Sequence, residues 1–354
     1  MATVTGRFAA PDLLRLGPPP ALAATQTIEA MVSAAKADLV TRMNAVGIPY
    51  DVSVLESDPG VILTEAGVYR DYLRRVEIDD AIRQTFLGSA TGSFLDRRCS
   101  DYGVLRRVWP TVYTDAIMPG ILPSNLPPAW TWGAVTGGYS WTEDDESLRT
   151  RGFLAWQALS VAGPAGAYVY HTLNAHPDVF DAVVYGPESG YVSPGQVLVV
   201  VQSYTNGGVP TAEVLDSVSA VVDAHKTTYA SGATVTRSAY DPQNIRPIGA
   251  QVFVVGAQPL TYAVSATLYV APGNDPTGTQ VNAIARLAAY QAKRNRVGLP
   301  VTLSGMTSAL GISDVNGVPL VDKVVLSSPM RDVTPNYQQI AVMSAAAQID
   351  VIVR

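Results

Sequence analysis

Apolar residues at Ile28, Val32, Ala35, Leu39, Met43 and Val46 recur in steps of three and four, which predicts a helix opened by Thr27 and stopped at Gly47 and Pro49. A second stripe, Ile62, Ala66, Tyr69, Leu73 and Val76, alternates steps of four and three. It follows Asp58, a good N-cap, and Pro59, which suits the first helical position because its missing N–H has no intrahelical partner there. The stripe is narrow and heptad-like, the pattern of a helix that packs on another helix, and the helix is expected to run to about Phe86. Gly88 and Gly92 make a connector, Ser93 and Asp96 have capping-box spacing, and the short stripe Leu95, Cys99, Tyr102 ends at Gly103. Ahead of these helices, Gly17-Pro18-Pro19-Pro20 forbids helix and predicts an extended arm that orders only against a partner.

The pattern changes at residues 108–141. Pro110, Pro119, Pro123, Pro127 and Pro128 interrupt any helix, and Trp109, Trp130, Trp132 and Trp141 are four of the chain's five tryptophans. Short strands and loops are expected, with the tryptophans packing a small β layer or an interface. Stacking on sugars or bases is the weaker reading, because no basic residues interleave them. Thr142 is expected to cap the next helix with Asp145 at the box position. Glu143, Asp144, Asp145 and Glu146 then crowd a first turn where the helix dipole favours anions; they lack the spaced ligands and glycine of a calcium loop.

From Gly163 helical and strand periods alternate. Helices are predicted at Ala165–Ala175, Thr211–Lys226, Thr277–Arg296 and Thr302–Leu310, and strands at Val179–Tyr185, Val197–Ser203, Gln251–Val255, Leu260–Val270, Leu320–Ser327 and Ala346–Val353. Val281, Ile284, Leu287, Ala288 and Gln291 are read as one face of the long helix at Thr277–Arg296. The fold class that follows is multi-domain α+β, an N-terminal helical region ahead of two small α+β domains with mixed or antiparallel sheets. The expected divisions are an extended arm over 1–24, a helical assembly region over 25–107, the Trp/Pro-rich segment over 108–141, and α+β domains over 142–245 and 246–354.

Of 354 residues, 47% are hydrophobic and 15% charged, a composition that builds cores and excludes disorder. The net charge of -6 supplies no global basic field for nucleic acid, and no run of 18 apolar residues is present to span a membrane. The Met1 end lacks the basic and then apolar regions of a secretory signal. Cys99 is the only cysteine, too few for an intramolecular disulfide or a zinc cluster, and its place on an apolar stripe makes it a small core residue.

Candidate chemistry is sparse. His171 and His176 are five apart, where two ligands on one helical face need four; His176 and His225 fall near helix ends, where the dipole favours a partly charged imidazole. Gly88-Ser89-Ala90-Thr91-Gly92 has alanine where a nucleophile elbow has serine, and no phosphate-binding loop occurs. Asp79-Asp80, on an exposed helix between arginines, read as salt-bridge partners. The expectation is therefore no enzyme, no cofactor and no metal. Eight arginines lie between Arg70 and Arg107, interleaved with Asp71, Glu77, Asp79, Asp80, Asp96 and Asp101. Arginine's planar fork suits interfaces, and charge pairs across an interface set register and partner choice.

Three blocks carry a resemblance. The first runs from Asp58-Pro59-Gly60-Val61-Ile62-Leu63-Thr64-Glu65-Ala66 through Tyr69-Arg70, Ile78-Asp79-Asp80-Ala81, Ala90-Thr91-Gly92 and Leu95-Asp96 to Tyr102-Gly103-Val104-Leu105-Arg106. The second is Glu143-Asp144-Asp145-Glu146-Ser147-Leu148-Arg149 with Gly163-Pro164-Ala165-Gly166-Ala167-Tyr168, and the third spans Tyr170 to Val201. In order and spacing they resemble the baseplate J-like family of contractile phage tails. The resemblance implies a structural wedge subunit of a virion tail baseplate, assembled in the host cytoplasm, that helps couple host recognition to sheath contraction. Implied partners are a second copy of the chain, a second and smaller wedge protein met through a helical bundle, neighbouring wedges in a ring, and central hub and sheath-initiator proteins. It implies neither nucleic acid nor membrane as a partner. On that pattern the partner-binding candidates are Ile28, Val32, Leu39 and Met43 on the first helix and Ile62, Tyr69, Arg70, Leu73, Arg74 and Arg75 on the second. The competing reading is a glycan-binding or hydrolytic tail module with the Trp-rich segment at its site.

Overall fold

The computed structural model describes residues 21–50, 58–111, 131–133, 138–160, 163–223, 228–232, 234, 246–247, 249–313, 319–344 and 346–353. They divide into two units: a helical one, holding the described residues within Pro11–Arg106 and Asp144–Phe153, and an α+β one, holding those within Arg107–Glu143 and Leu154–Arg354. The multi-domain α+β class expected from the sequence is what the chain adopts, with the helical region first and small mixed sheets after it.

In the helical unit, α1 (Ile28–Ala45) starts where the Thr27 hydroxyl accepts the Ala30 N–H, and α2 (Pro59–Arg83) where Asp58 accepts the Gly60 N–H at 2.7 Å. The Tyr50 hydroxyl donates to the same Asp58 carboxylate, which is held below its ordinary pKa first by that bond and then by the Gly60 N–H. α2 ends at Arg83, short of Phe86. α3 (Gly92–Ser100) has no capping box: Thr91 is its N-cap, no side chain of its own caps it, and Asp145 accepts the Gly92 N–H at 3.0 Å. α4 (Asp145–Leu154) is capped by Asp144, which accepts the Ser147 N–H at 2.8 Å, and not by Thr142.

α4 locks onto the α2–α3 connection with buried polar groups. Arg149, almost fully buried, donates to the carbonyls of Leu87 (3.0 Å) and Ala90 (2.8 Å) and pairs with Glu146 (2.9 Å). Arg151 reaches the Leu105 carbonyl at 2.7 Å. Arg106 bridges Asp96 (2.7 Å) and Asp145 (2.6 Å). Burial alone would push the Asp145 carboxyl up, but the Gly92 N–H and the Arg106 guanidinium hold it below its ordinary value. Leu95, Cys99 and Leu148 fill the space between α3 and α4, so Cys99 is the small core residue expected. A Cβ on Gly152 would fall 2.8 Å from the Cys99 sulfur, which is why the helices close only over glycine there.

The α+β unit begins with an antiparallel sheet of order β1-β3-β2, from β1 (Val108–Thr111), β2 (Thr131–Gly133) and β3 (Gly138–Thr142). At its root Arg107 and Glu143 exchange backbone and side-chain hydrogen bonds, and Arg107 also donates to the Leu173 carbonyl at 2.6 Å. The tryptophan side chains of 108–141 lie outside the described ones. Next come α5 (Ala165–Ala175), β4 (Val179–Tyr185), β5 (Gln196–Ser203), α6 (Ala212–Val222) and β6 (Gln251–Gly256), with sheet order β4-β5-β6. Both faces of this sheet are buried: Val184, Val199, Val201 and Val252 share a core with Tyr168, Leu173 and Val218, while Val183, Tyr185, Leu198 and Val200 enter another with Val297 and Ile340. Two buried faces explain the unbroken valine run of β5.

The chain closes with β7 (Gln258–Tyr262), β8 (Ser265–Val270), α7 (Pro276–Arg294), α8 (Leu303–Leu310), β9 (Val321–Ser328), β10 (Gln339–Met343) and β11 (Gln348–Val353). The single strand expected over Leu260–Val270 is two: β7 pairs in parallel with β10, which the periodicity missed, and β8 is the centre of β11-β8-β9. α7 buries Thr279, Ala283 and Leu287, whereas Val281, Ile284 and Ala288 of the expected face are exposed. Leu287 is buried as expected; the buried line reaches it through Thr279 and Ala283, and Leu287 and Tyr290 pack into the core.

Arg149→Met keeps the aliphatic stem but leaves the Leu87 and Ala90 carbonyls without their donor. The expected loss is about 3 kcal/mol, read as a lower urea midpoint for the helical unit.

Candidate assembly interface

α2 has two heptad-like faces, one residue and hence about 100° apart. The face used inside the chain runs through Val61, Glu65, Val68, Tyr72, Arg75 and Asp79. α1 packs against α2, and Lys36 pairs with Glu65 at 2.5 Å. Ile28, Val32, Leu39 and Met43 of α1 are half-buried around the buried Met31. Further along, Asp79 accepts the backbone N–H groups of Leu22 (2.9 Å), Ala23 (2.9 Å) and Ala24 (2.8 Å), and Arg75 donates to the Ala23 carbonyl. Asp79 is thus the buried anchor of the end of the N-terminal segment, not the exposed salt-bridge partner expected from its neighbours.

The other face is the stripe read from the sequence, and it lies open. Ile62 is 51% exposed, Tyr69 52%, Leu73 42% and Val76 40%, with Ala66 exposed between them. Arg70 and Arg74 stand beside it, exposed and without an ion pair among the described residues. Arg75, on the opposite flank, pairs with Asp71 at 2.9 Å. Of the eight arginines, Arg106 and Arg107 therefore serve the interior of their own units, while Arg70 and Arg74 face outward. The apolar periodicity singled out the Ile62 line and passed over the inner one, which carries Glu65, Arg75 and Asp79. Arg149, Arg151 and Glu143 were missed for a different reason: a charged residue reads as exposed until its buried partners are known.

The remaining titratable candidates are structural. His176 caps the end of α5, its Nδ1 accepts the Asp178 N–H at 3.1 Å, and burial pushes its pKa down, opposite to the partly charged imidazole expected at a helix end. Burial lowers His171 as well, and His225 lies outside the described residues. Among the described residues no group of three or more His, Cys, Asp or Glu could hold a metal, and no helix is long and apolar enough to cross a membrane.

The N–H donors of Ala23 and Ala24 hold the Asp79 carboxyl below its ordinary pKa, with lesser contributions from Leu22 and Arg83. A depressed carboxyl stabilises the fold above its unfolded pKa, about 3.9, and that stabilisation is lost as pH falls through the lower folded value. NMR amide shifts of Ala23 and Ala24 are therefore expected to be flat at neutral pH and to move together below about pH 3.9. In Asp79→Asn they should already be displaced at pH 7.

Comparison with known proteins completes the description of this surface. Residues 56–111, which contain α2 and α3, match the baseplate J-like N-terminal domain, and residues 160–256 match the baseplate J-like central domain. The chain is also similar to "Baseplate protein J" of Escherichia phage P2, at 30% identity over 285 residues, covering 80% of this chain and 79% of that protein. A relative at this identity and coverage, joined to two domain matches in the right order, shows that the chain belongs to the baseplate J-like family.

Proposed function

We propose that this chain is a structural subunit of the baseplate wedge of a contractile phage tail, acting by assembly and not by catalysis. The observation that carries the proposal is the open apolar seam of α2, from Ile62 to Val76, with Arg70 and Arg74 beside it. It is about 21 Å long, and covering the exposed half of each large apolar side chain there would contribute roughly 0.7–1.5 kcal/mol. Family membership and the printed name of the phage P2 relative support the baseplate setting.

On this reading the chain resides in the virion tail baseplate after assembly in the host cytoplasm. It pairs with a second copy of itself, and α1, braced by α2 and α3, bundles with helices of a second, smaller wedge protein. The α+β domains contact neighbouring wedges in a ring around the central hub and sheath-initiator proteins. Rigid units moving about such interfaces would pass host recognition on to sheath contraction.

The test is complementation of particles lacking the chain, with baseplates counted by electron microscopy. Tyr69→Ala combined with Leu73→Asp changes only exposed positions, so the variant should fold with a stability within about 0.5 kcal/mol of the parent. It is expected to leave baseplates incomplete where the parent chain restores them. Normal baseplates built from the variant would refute the role of the seam, and a parent chain absent from the particles would refute the function.

A further inference from the structure

The exposed charges beside the seam of α2 have an order that is complementary to itself when reversed. Arg70, Arg74, Glu77 and Asp80 are all exposed, and none makes an ion pair among the described residues. At 3.6 residues per turn, Arg70, Arg74 and Glu77 lie on one flank of the stripe, and Asp80 continues the line of the stripe one turn past Val76. The opposite flank is already used: Glu65 is held by Lys36, Arg75 by Asp71, and Arg83 stands next to Asp79. Read from the N-terminus, the free charges run basic, basic, acidic, acidic. Read backwards, each sign meets its opposite.

A second α2 laid antiparallel on the first presents that reversed order on the same flank. A two-fold interface needs just this property, because residue i must suit j while j suits i. In a parallel pair this flank would instead face the partner's opposite flank, where Glu65 and Arg75 are already paired within their own chain, so Arg70 and Glu77 would not meet each other. With Leu73 of each helix against the partner's Val76, the heptad spacing places Arg70 opposite the partner's Glu77 and Tyr69 beside the partner's Asp80. Arg74 adds positive potential on the flank that receives the partner's Glu77.

We propose that this face of α2 is an isologous interface between two copies of the chain, packed as antiparallel helices, with Leu73 and Val76 at the two-fold axis and reciprocal Arg70–Glu77 pairs setting the register. The proposal rests on the reading of the chain as an assembly subunit and specifies which surface of it meets the second copy.

Sedimentation equilibrium of the purified full chain tests it through charge exchange. Arg70→Glu and Glu77→Arg should each weaken self-association about tenfold or more by opposing like charges. The double exchange, Arg70→Glu with Glu77→Arg, recreates a self-complementary flank and should restore it. Both positions are exposed, so circular dichroism and thermal melts should match across the series. Single variants that associate like the parent would overturn the proposal. So would a double variant no tighter than the singles, or a parent chain that stays monomeric. If the single variants lower incorporation into baseplates while self-association is unchanged, the seam serves a different protein; that overturns this inference and leaves the baseplate function standing.

Discussion

The helical unit depends on two guanidinium groups buried against backbone carbonyls. The chain leaves this unit after Arg106 and returns at Asp144, so the unit has to be closed by a segment distant in sequence. Arg149 and Arg151 close it by supplying donors to Leu87, Ala90 and Leu105, carbonyls outside any helical ladder. Burying a guanidinium costs several kcal/mol unless it is paired and hydrogen-bonded, and burying bare carbonyls is costly too. Each need is met by the other. Asp145 completes the closure with the Gly92 N–H and Arg106. Asp145 and Glu146 lie in the first turn of α4, as the sequence reads, and the block 144–149 is also the clasp of the unit.

That clasp matters for function because it fixes the end of α2. The loop after Arg83 is held by Arg149, and the beginning of α2 is held by the Asp58 cap and the packing of α1. A helix anchored at both ends presents its open face without having to order it on binding, which lowers the entropic cost of an interface. α2 spends one heptad face on its own chain and leaves the other exposed. The Asp79 anchor shows how completely the inner face is used, since even its carboxylate is saturated with backbone donors.

The α+β unit follows a different logic. Its central sheet is covered on both sides, so its strands carry apolar residues at consecutive positions and read plainly from the sequence. The helix starts at Asp58 and Thr27 were also legible, because a side chain that accepts an N–H two or three residues ahead is a local event. α7 was legible as a helix but not in orientation. Its buried face runs through Thr279, Ala283 and Leu287, and only the neighbours it packs on could reveal that line.

By itself, then, the sequence determined the element order, the α+β class, most helix starts and the presence of an apolar four–three seam on α2. These depend on local periodicity and on hydrogen bonds between near neighbours. Only the tertiary structure decided which of two faces of α2 stays open, which arginines are interior, and that Asp79 is an anchor and not a surface charge. Those outcomes depend on what arrives from far along the chain: Leu22–Ala24 for Asp79, Asp145 for Arg106, and the Leu87 and Ala90 carbonyls for Arg149. A charged side chain carries no local mark of whether such a partner will come. The long-range packing that supplies or withholds it is what makes one face of α2 interior and leaves the other exposed.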